Sequence, residues 1–347
     1  MATTLNMGVI GLGIVSGGHL QQYKEYERAN LYAICDNDPE WLPDAEKIHS
    51  PVKAFLDYRD MLADPNLDAV SICLPTALHA QATIDALNAG KHVLCEKPMS
   101  LNADEARAMK AAADKSGKKL MISHNQRLEG NVLYLKELQK EGFFGDIYFM
   151  RIGWRRPMGI LPPVFETRAN GKKYNRNFFN EKDNGGGVLR DLGSHLLDLS
   201  LFITGFPAPV ATVSSLYKKF FNPDVDSEKY PQDAEDMAVA QITYDNGLTM
   251  QLEFSFVSHV ADDTVLTEIY GTKAGASRRG QTLKLIEYDG NGTIIKPKHY
   301  PLPTEFTQRR FVDAILDNKD VPITADEGIR VIEVLDAIYK AAGDTKY

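Results

Sequence analysis

The stretch Gly8-Val9-Ile10-Gly11-Leu12-Gly13-Ile14-Val15-Ser16-Gly17-Gly18 stands where a first apolar strand hands over to a first helix. Gly11 permits the tight turn of that hand-over, and Gly13 lets the main chain approach a bound pyrophosphate. The helix behind them offers unpaired N–H groups and the positive end of its dipole to an anion. Gly11, Gly13, Ile14 and Val15 are therefore read as dinucleotide contacts. Ser16 stands at the third position of the usual spacing, with Gly17 one residue later. A residue that small still lets helix and strand lie close. Alone the turn is a weak signal, because ordinary loops carry similar glycines.

Outward from that turn, the first third of the chain alternates. Apolar, strand-like runs stand at residues 6–11, 31–35, 69–74, 91–95 and 119–122, with helical spacing at 78–89 and 103–115. Near-continuous apolar strands separated by helices imply a parallel sheet covered on both faces. Right-handed crossovers then give a doubly wound, Rossmann-like sheet of the α/β class. Asp36 follows the second run, in Ala33-Ile34-Cys35-Asp36-Asn37-Asp38, about 20 residues past the glycines. A carboxylate there accepts both hydroxyls of an adenosine ribose and repels a 2′-phosphate. Neither Asn37 nor Asp38 is an arginine that would hold such a phosphate. NAD is the expected cofactor, favoured over NADP. The alternative for Asp36 is a strand-end residue that caps the next turn.

From Gly145 the rhythm changes, with strands expected at 145–154, 210–220, 237–244, 248–257 and 265–271. Tyr244-Asp245-Asn246-Gly247-Leu248 carries an Asn-Gly hairpin turn. Such strands after a parallel domain predict a second, α+β domain on an open, predominantly antiparallel sheet. Two helical stretches, 305–318 and 325–341, close the chain, and Ile329, Ile332, Val334, Leu335 and Ile338 give the second its apolar face. At 347 residues the chain exceeds what one core usually organises. The expected division is 1–124 for dinucleotide binding and 125–347 for substrate binding and oligomerisation, with the last helix able to pack back on the first domain.

A composition of 44% hydrophobic and 25% charged residues suits a soluble globular protein. The net charge of −8 argues against a nucleic-acid partner. Residues 1–8 lack a charged-then-apolar leader, and no apolar run approaches about 18 residues, so a cytoplasmic protein with no membrane partner is expected. Cys35, Cys73 and Cys95 each fall in or beside an apolar run and read as small buried thiols. Neither they nor the histidines have metal-site spacing, so no metal is expected.

Two segments carry candidate chemistry. Val93-Leu94-Cys95-Glu96-Lys97-Pro98-Met99 puts an acid and a base directly after a buried strand, at the edge where such sheets bind ligands. A solvated surface pair is the bland alternative. Gly185-Gly186-Gly187-Val188-Leu189-Arg190-Asp191-Leu192-Gly193-Ser194-His195-Leu196-Leu197-Asp198 puts Asp191 and His195 one turn apart if it is helical from Leu189. A histidine beside a carboxylate can act as a tuned general base, although it can equally be a satisfied core histidine. The three glycines suit a backbone packed closely against something flat.

Together the glycine turn, Glu96-Lys97-Pro98 and the Asp191-x-Gly193-x-His195 helix resemble the Gfo/Idh/MocA family of nicotinamide-dependent oxidoreductases, across the whole chain. The resemblance is strongest to sugar, polyol and inositol dehydrogenases. It implies that Lys97, Asp191 and His195 are the catalytic residues and also touch substrate, and that the Lys97–Pro98 bond is often cis. Pro75, Thr76 and His79 stand in a cofactor-facing loop, where relatives carry Thr-Pro-Asn or similar and this chain has Leu74-Pro75-Thr76. Glu96 and Lys97 line the cofactor, and Arg127, in Asn125-Gln126-Arg127 at the domain junction, reaches cofactor and substrate. Trp154-Arg155-Arg156 meets cofactor or substrate, or is plain surface.

The implied activity is hydride transfer between a secondary alcohol of a sugar, sugar derivative or cyclitol and the nicotinamide. Two rivals share the architecture. One is an NAD-dependent glycoside hydrolase or lyase that oxidises its sugar transiently; the other is a non-catalytic NAD-binding sensor. Loops between Met158 and Asn180 are expected to read the substrate hydroxyls. Thr249, Gln251, Glu253 and Ser255 alternate with Met250, Leu252, Phe254 and Phe256. That polar second face suits a homodimer or homotetramer formed through the sheet.

Overall fold

The computed structural model describes residues 4–157, 164–167, 171, 173–176, 180–220, 222–223, 226–228, 230–288, 290–291, 293–297 and 302–344. In chain order it opens with β1 (Leu5–Ile10), α1 (Ser16–Glu25), β2 (Ala29–Cys35), α2 (Leu42–His49), β3 (Lys53–Phe55), α3 (Tyr58–Leu62) and β4 (Ala69–Ile72). Then come α4 (His79–Asn88), β5 (His92–Glu96), α5 (Ala103–Ser116) and β6 (Leu120–Ser123). All six strands form one parallel sheet in the order β3-β2-β1-β4-β5-β6. Met7, Val9, Ile34, Val70, Ile72, Val93, Leu94, Met121 and Ile122 are fully buried in it, as a sheet covered on both faces requires. The strand order reverses between β1 and β4, and ligands bind beyond the carboxyl ends of strands at such a point.

The five strands read from the sequence are all present. The sixth, β3, is three residues long and half-exposed, too short to show an apolar period. β4 also ends at Ile72, so Cys73 and Leu74, read as strand, belong to the following loop. Cys35 and Cys95 are buried and Cys73 half-buried, and none is in a disulfide.

The chain continues with α6 (Gly130–Lys140), β7 (Ile147–Pro157), β8 (Val164–Thr167), β9 (Lys173–Arg176), α7 (Glu181–Asn184), α8 (Ser194–Thr204), β10 (Pro209–Tyr217), β11 (Met237–Tyr244) and β12 (Thr249–Ser258). It ends with β13 (Thr264–Gly271), β14 (Ala274–Arg279), β15 (Thr282–Tyr288), β16 (Thr293–Pro297), α9 (Thr307–Leu316) and α10 (Ala325–Ala341). The second sheet runs β10-β11-β12-β7-β13-β14-β15-β16 and is antiparallel except where β12 meets β7. Met150, Ile152, Ala238, Ile242, Met250, Leu252 and Phe254 of three neighbouring strands are buried, as are Leu192, Leu196 and Leu199. A Cβ on Gly193 would stand 3.3 Å from the Phe254 ring, so α8 begins in close contact with β12.

β14, β15 and β16 are absent from the sequence reading. Ala274-Gly275-Ala276-Ser277-Arg278-Arg279 has little intrinsic strand preference and pairs because β13 and β15 hold it from both sides. β8 and β9 fall in the stretch read as substrate loops; most of residues 158–180 lie outside the described residues.

Contacts divide the chain into two compact units. The first comprises Met1–His124, Thr167–Lys172 and Glu305–Ile329; the second comprises Asn125–Glu166, Lys173–Thr304 and Arg330–Tyr347. α9 belongs to the first, where Arg309 Nε donates to Gln22 at 2.6 Å and Tyr26 donates to Asp313 at 2.6 Å. The first turn of α10 also belongs there, with Gly328 seated on Met99 and Ile122. No helix among the described residues is long and apolar enough to cross a membrane.

Candidate active site

In the first unit, the candidate residues gather at the carboxyl ends of β2, β1, β4 and β5, four successive strands. Gly11 adopts φ +87°, a region that favours glycine, and its N–H donates to Cys35 O at 2.8 Å. A Cβ there would also stand 2.6 Å from Cys73 O. Ile14 and Val15 are exposed at the tip of the turn. At Gly13, Gly17 and Gly18 a Cβ would meet nothing within 4 Å. α1 has no side-chain cap and no acidic residue in its first turn. That open, uncapped and acid-free helix start fits a pyrophosphate.

Asp36 lies beside it. Its Oδ2 accepts from Leu12 N at 2.8 Å and its Oδ1 from Asp38 N at 3.0 Å. Each oxygen keeps a second lone pair, so the carboxylate is held in place yet able to accept a ribose hydroxyl. Pro75 is exposed and Thr76 buried, at the start of a short helical turn over Thr76–Leu78. His79 lies deeper than its reading as a cofactor contact implied. It is buried, with Nδ1 2.9 Å from Pro98 O and Nε2 2.8 Å from Leu74 O. Burial pulls its pKa below the ordinary value, against the pull of the two carbonyls. The ring joins the loop after β4 to the segment after Lys97.

Glu96 ends β5. Its Oε1 lies 2.9 Å from His19 Nε2, and its Oε2 accepts from Lys97 N at 3.3 Å. Burial alone would raise its pKa, but the His19 contact, Ser123 and the Lys97 charge outweigh that and hold it below the ordinary value. Lys97 is half-buried, and its bond to Pro98 is cis. Behind His19 the contacts continue inward: Nδ1 is 2.9 Å from Ser71 Oγ, which is 2.6 Å from Tyr23 OH. The sequence reading missed this chain. A signal was available, since Ser16, His19, Leu20 and Tyr23 share the spacing of one helix face and all four are buried.

In the second unit, the glycine turn packs as tightly as its sequence suggests. A Cβ on Gly186 would lie 1.9 Å from Tyr339 OH, and one on Gly187 would lie 2.0 Å from Glu235 O. Glu235 is buried and caps the helix start, accepting from Gly187 N at 2.8 Å, Leu189 N at 3.0 Å and Tyr339 OH at 2.8 Å. Burial nevertheless raises its pKa, against those three donors. Leu189–Gly193 is a π-helical turn and α8 begins only at Ser194. The regular α-helix expected from Leu189 is thus wound wider at its start, which changes the phase between Asp191 and His195. Both are half-buried. Trp154, near the end of β7, lies beside His195 with ring centroids 6.4 Å apart, and its Nε1 donates to Asp263 at 3.1 Å. The Arg156 guanidinium stands 5.0 Å from the Trp154 ring centre.

Arg127 is placed differently from its reading as a ligand contact. It is 1% exposed, its Nε donates to Asp198 Oδ2 at 3.0 Å, and its Nη2 meets the other oxygen of Asp198. Phe202 and Phe206 stand 5.1 and 5.0 Å from the guanidinium. A buried arginine persists only when a carboxylate matches its fork, and Asp198 does so one turn beyond His195. The motif around Arg127 named no such partner, which stands 71 positions away.

Residues 5–124 match a family model described as "Oxidoreductase family, NAD-binding Rossmann fold", and residues 132–277 match "GFO/IDH/MocA C-terminal domain". The chain is 27% identical to D-glucoside 3-dehydrogenase of Escherichia coli, over 98% of this chain and 96% of that protein. It is 26% identical to scyllo-inositol 2-dehydrogenase (NADP(+)) of Bacillus subtilis, over 99% and 95%. Among solved structures, levoglucosan dehydrogenase in complex with NADH and levoglucosan superposes with a TM-score of 0.84 at 22% identity, covering 98% of this chain and 97% of that one.

Proposed function

Because the chain belongs to the Gfo/Idh/MocA family of NAD-binding oxidoreductases, we propose that it oxidises a secondary alcohol of a sugar, sugar derivative or cyclitol with NAD. The observation that carries this reading is the carboxyl edge of the parallel sheet. There the open start of α1, the Asp36 carboxylate and the Glu96–Lys97 pair stand at the ends of β1, β2 and β5. The names of the relatives, a glucoside, an inositol and a levoglucosan dehydrogenase, support the substrate class.

Gly11, Gly13, Ile14 and Val15 would hold the pyrophosphate, and Asp36 the adenosine ribose. Pro75, Thr76 and Glu96 would shape the remaining wall. When bound, NAD supplies a hydride acceptor. In this reading the imidazole of His195 takes the hydroxyl proton as the C–H bond breaks, and the Lys97 ammonium stabilises the oxygen as its charge develops. Asp191 holds a neighbouring hydroxyl and favours the protonated imidazole electrostatically. His79 and Arg127 act as struts, through Pro98 and Asp198. Residues 1–124 carry the cofactor, 125–347 the substrate, and the open face of the second sheet joins two copies.

A screen of sugars and cyclitols with NAD and with NADP, followed by absorbance of the reduced cofactor, tests the reading. Turnover with NAD is expected. Activity confined to NADP would overturn the role of Asp36. Glycoside cleavage without net NADH would replace the dehydrogenase with a hydrolase or lyase.

A further inference from the structure

The chain Tyr23–Ser71–His19–Glu96 runs under α1 from the middle of the parallel sheet to its carboxyl edge, through contacts of 2.6, 2.9 and 2.9 Å. Tyr23, Ser71 and His19 are at most 2% exposed. Each has one hydrogen to give along the chain, and this fixes its polarity. Burial raises the Tyr23 pKa far above its ordinary value, so its hydroxyl stays protonated and donates to Ser71 Oγ. Ser71 then donates to His19 Nδ1, which leaves the hydrogen of a neutral imidazole on Nε2, facing Glu96. That order satisfies every member. With hydrogen on Nδ1, Ser71 Oγ would accept from both the ring and Tyr23, and the Ser71 hydrogen would lose its partner along the chain. The chain therefore ends inside the protein and fixes a tautomer and a ring orientation; it conducts no proton.

At its outer end, Glu96 uses one oxygen for His19 and the other for the main-chain N–H of Lys97. Its surroundings add the Lys97 charge, the Ser123 hydroxyl on β6, and the thiols Cys73 and Cys95. Ser123 in turn lies 3.3 Å from Thr307 Oγ1 on α9. We propose that His19 is a positioning residue: its Nε2–H holds the Glu96 carboxylate in one ionised orientation, and that carboxylate fixes the main chain presenting Lys97. His19 lies on α1, one turn past the glycine turn, so the helix expected to hold the pyrophosphate also sets the segment that carries the candidate catalytic lysine. The inference rests on the reading of Lys97 as the group beside the reacting oxygen.

Nitrogen NMR of the histidine-labelled wild-type protein reads the tautomer without any turnover. Hydrogen is expected on Nε2 of His19, and an Nε2 that carries no hydrogen overturns the proposal. In parallel, His19→Leu is expected to lower kcat by at least about tenfold, while the KM for sugar and the calorimetric affinity for NAD stay at wild-type values. His19→Gln, whose side-chain amide can still donate to Glu96, is expected to recover most of that loss. A kcat for His19→Leu within about twofold of wild type, or a His19→Gln protein as impaired as His19→Leu, refutes positioning. Lys97→Ala separates the two readings. If it turns over normally, the role of Lys97 falls; if it is inactive while His19→Leu is normal, only the inference about His19 falls.

Discussion

At the scale of single residues, the candidate site depends on groups held by the main chain. Asp36 is fixed by two backbone N–H donors, so its charge stands at one place rather than sweeping a cone. Asp36→Ala is expected to weaken NAD binding and narrow the preference over NADP, as titration calorimetry with both cofactors would measure; an unchanged preference would remove Asp36 from cofactor selection. Lys97→Ala is expected to keep NAD affinity while losing about 10²- to 10⁴-fold in turnover, measured by reduced-cofactor absorbance. Residue identity made these positions legible, because glycine, aspartate and lysine each stand where only a few chemistries need them. What the sequence concealed were partners distant in the chain. His79, Arg127 and Glu96 are held by Pro98, Asp198 and His19, and nothing local announces those pairings.

At the scale of elements, the parallel strands were legible because both faces are buried, which makes them apolar runs; β3 and β14 were not, because neighbours rather than propensity hold them. The helix bearing Asp191 and His195 was legible, but its π-helical start was not, since no residue type specifies that winding. Its approach is the sensitive point. Gly187→Ala drives a methyl into the main chain of Glu235, and a loss of about 1–3 kcal/mol is expected in thermal or denaturant unfolding. Arg127→Ala strands a buried carboxylate on α8, with an expected loss of about 3–5 kcal/mol by the same measurement. A third prediction concerns pH. His92 opens β5 and its Nδ1 accepts from Lys119 N at 3.0 Å, a contact only the unprotonated nitrogen can make. Burial, with Lys118 and Lys119 nearby, lowers its pKa from 6.5 to about 4. The folded state thus prefers the neutral ring, so this contribution is complete above about pH 6.5 and is lost as pH falls towards 4. The melting temperature is expected to drop across that window, and less steeply in His92→Gln; equal slopes would exclude His92 as the cause.

At the scale of the molecule, the succession of a parallel and a mostly antiparallel sheet was legible from a change of rhythm alone, from strands alternating with helices to strands joined by turns. The open sheet face has a further consequence. Gln241, Gln251 and Arg151 lie in register across β11, β12 and β7, with Val213 beside Gln241 on β10. Val213 is 75% exposed, and Tyr217 and Tyr270 also reach solvent. Light scattering is expected to return a multiple of the single-chain 38.6 kDa, and Val213→Glu to shift it downward; a wild-type mass of one chain would refute association through this face.

The seat of the glycine turn also has a consequence in time. Glu235 is anchored by Tyr339, and Gly186 leaves room for that tyrosine's hydroxyl and nothing larger. A ribosome delivers Gly186 long before Tyr339. Until the final helix emerges, the Glu235 cap at the start of the helix carrying Asp191 and His195 lacks its Tyr339 donor. A chain stalled before that point would have every candidate catalytic residue already translated and no finished seat for two of them.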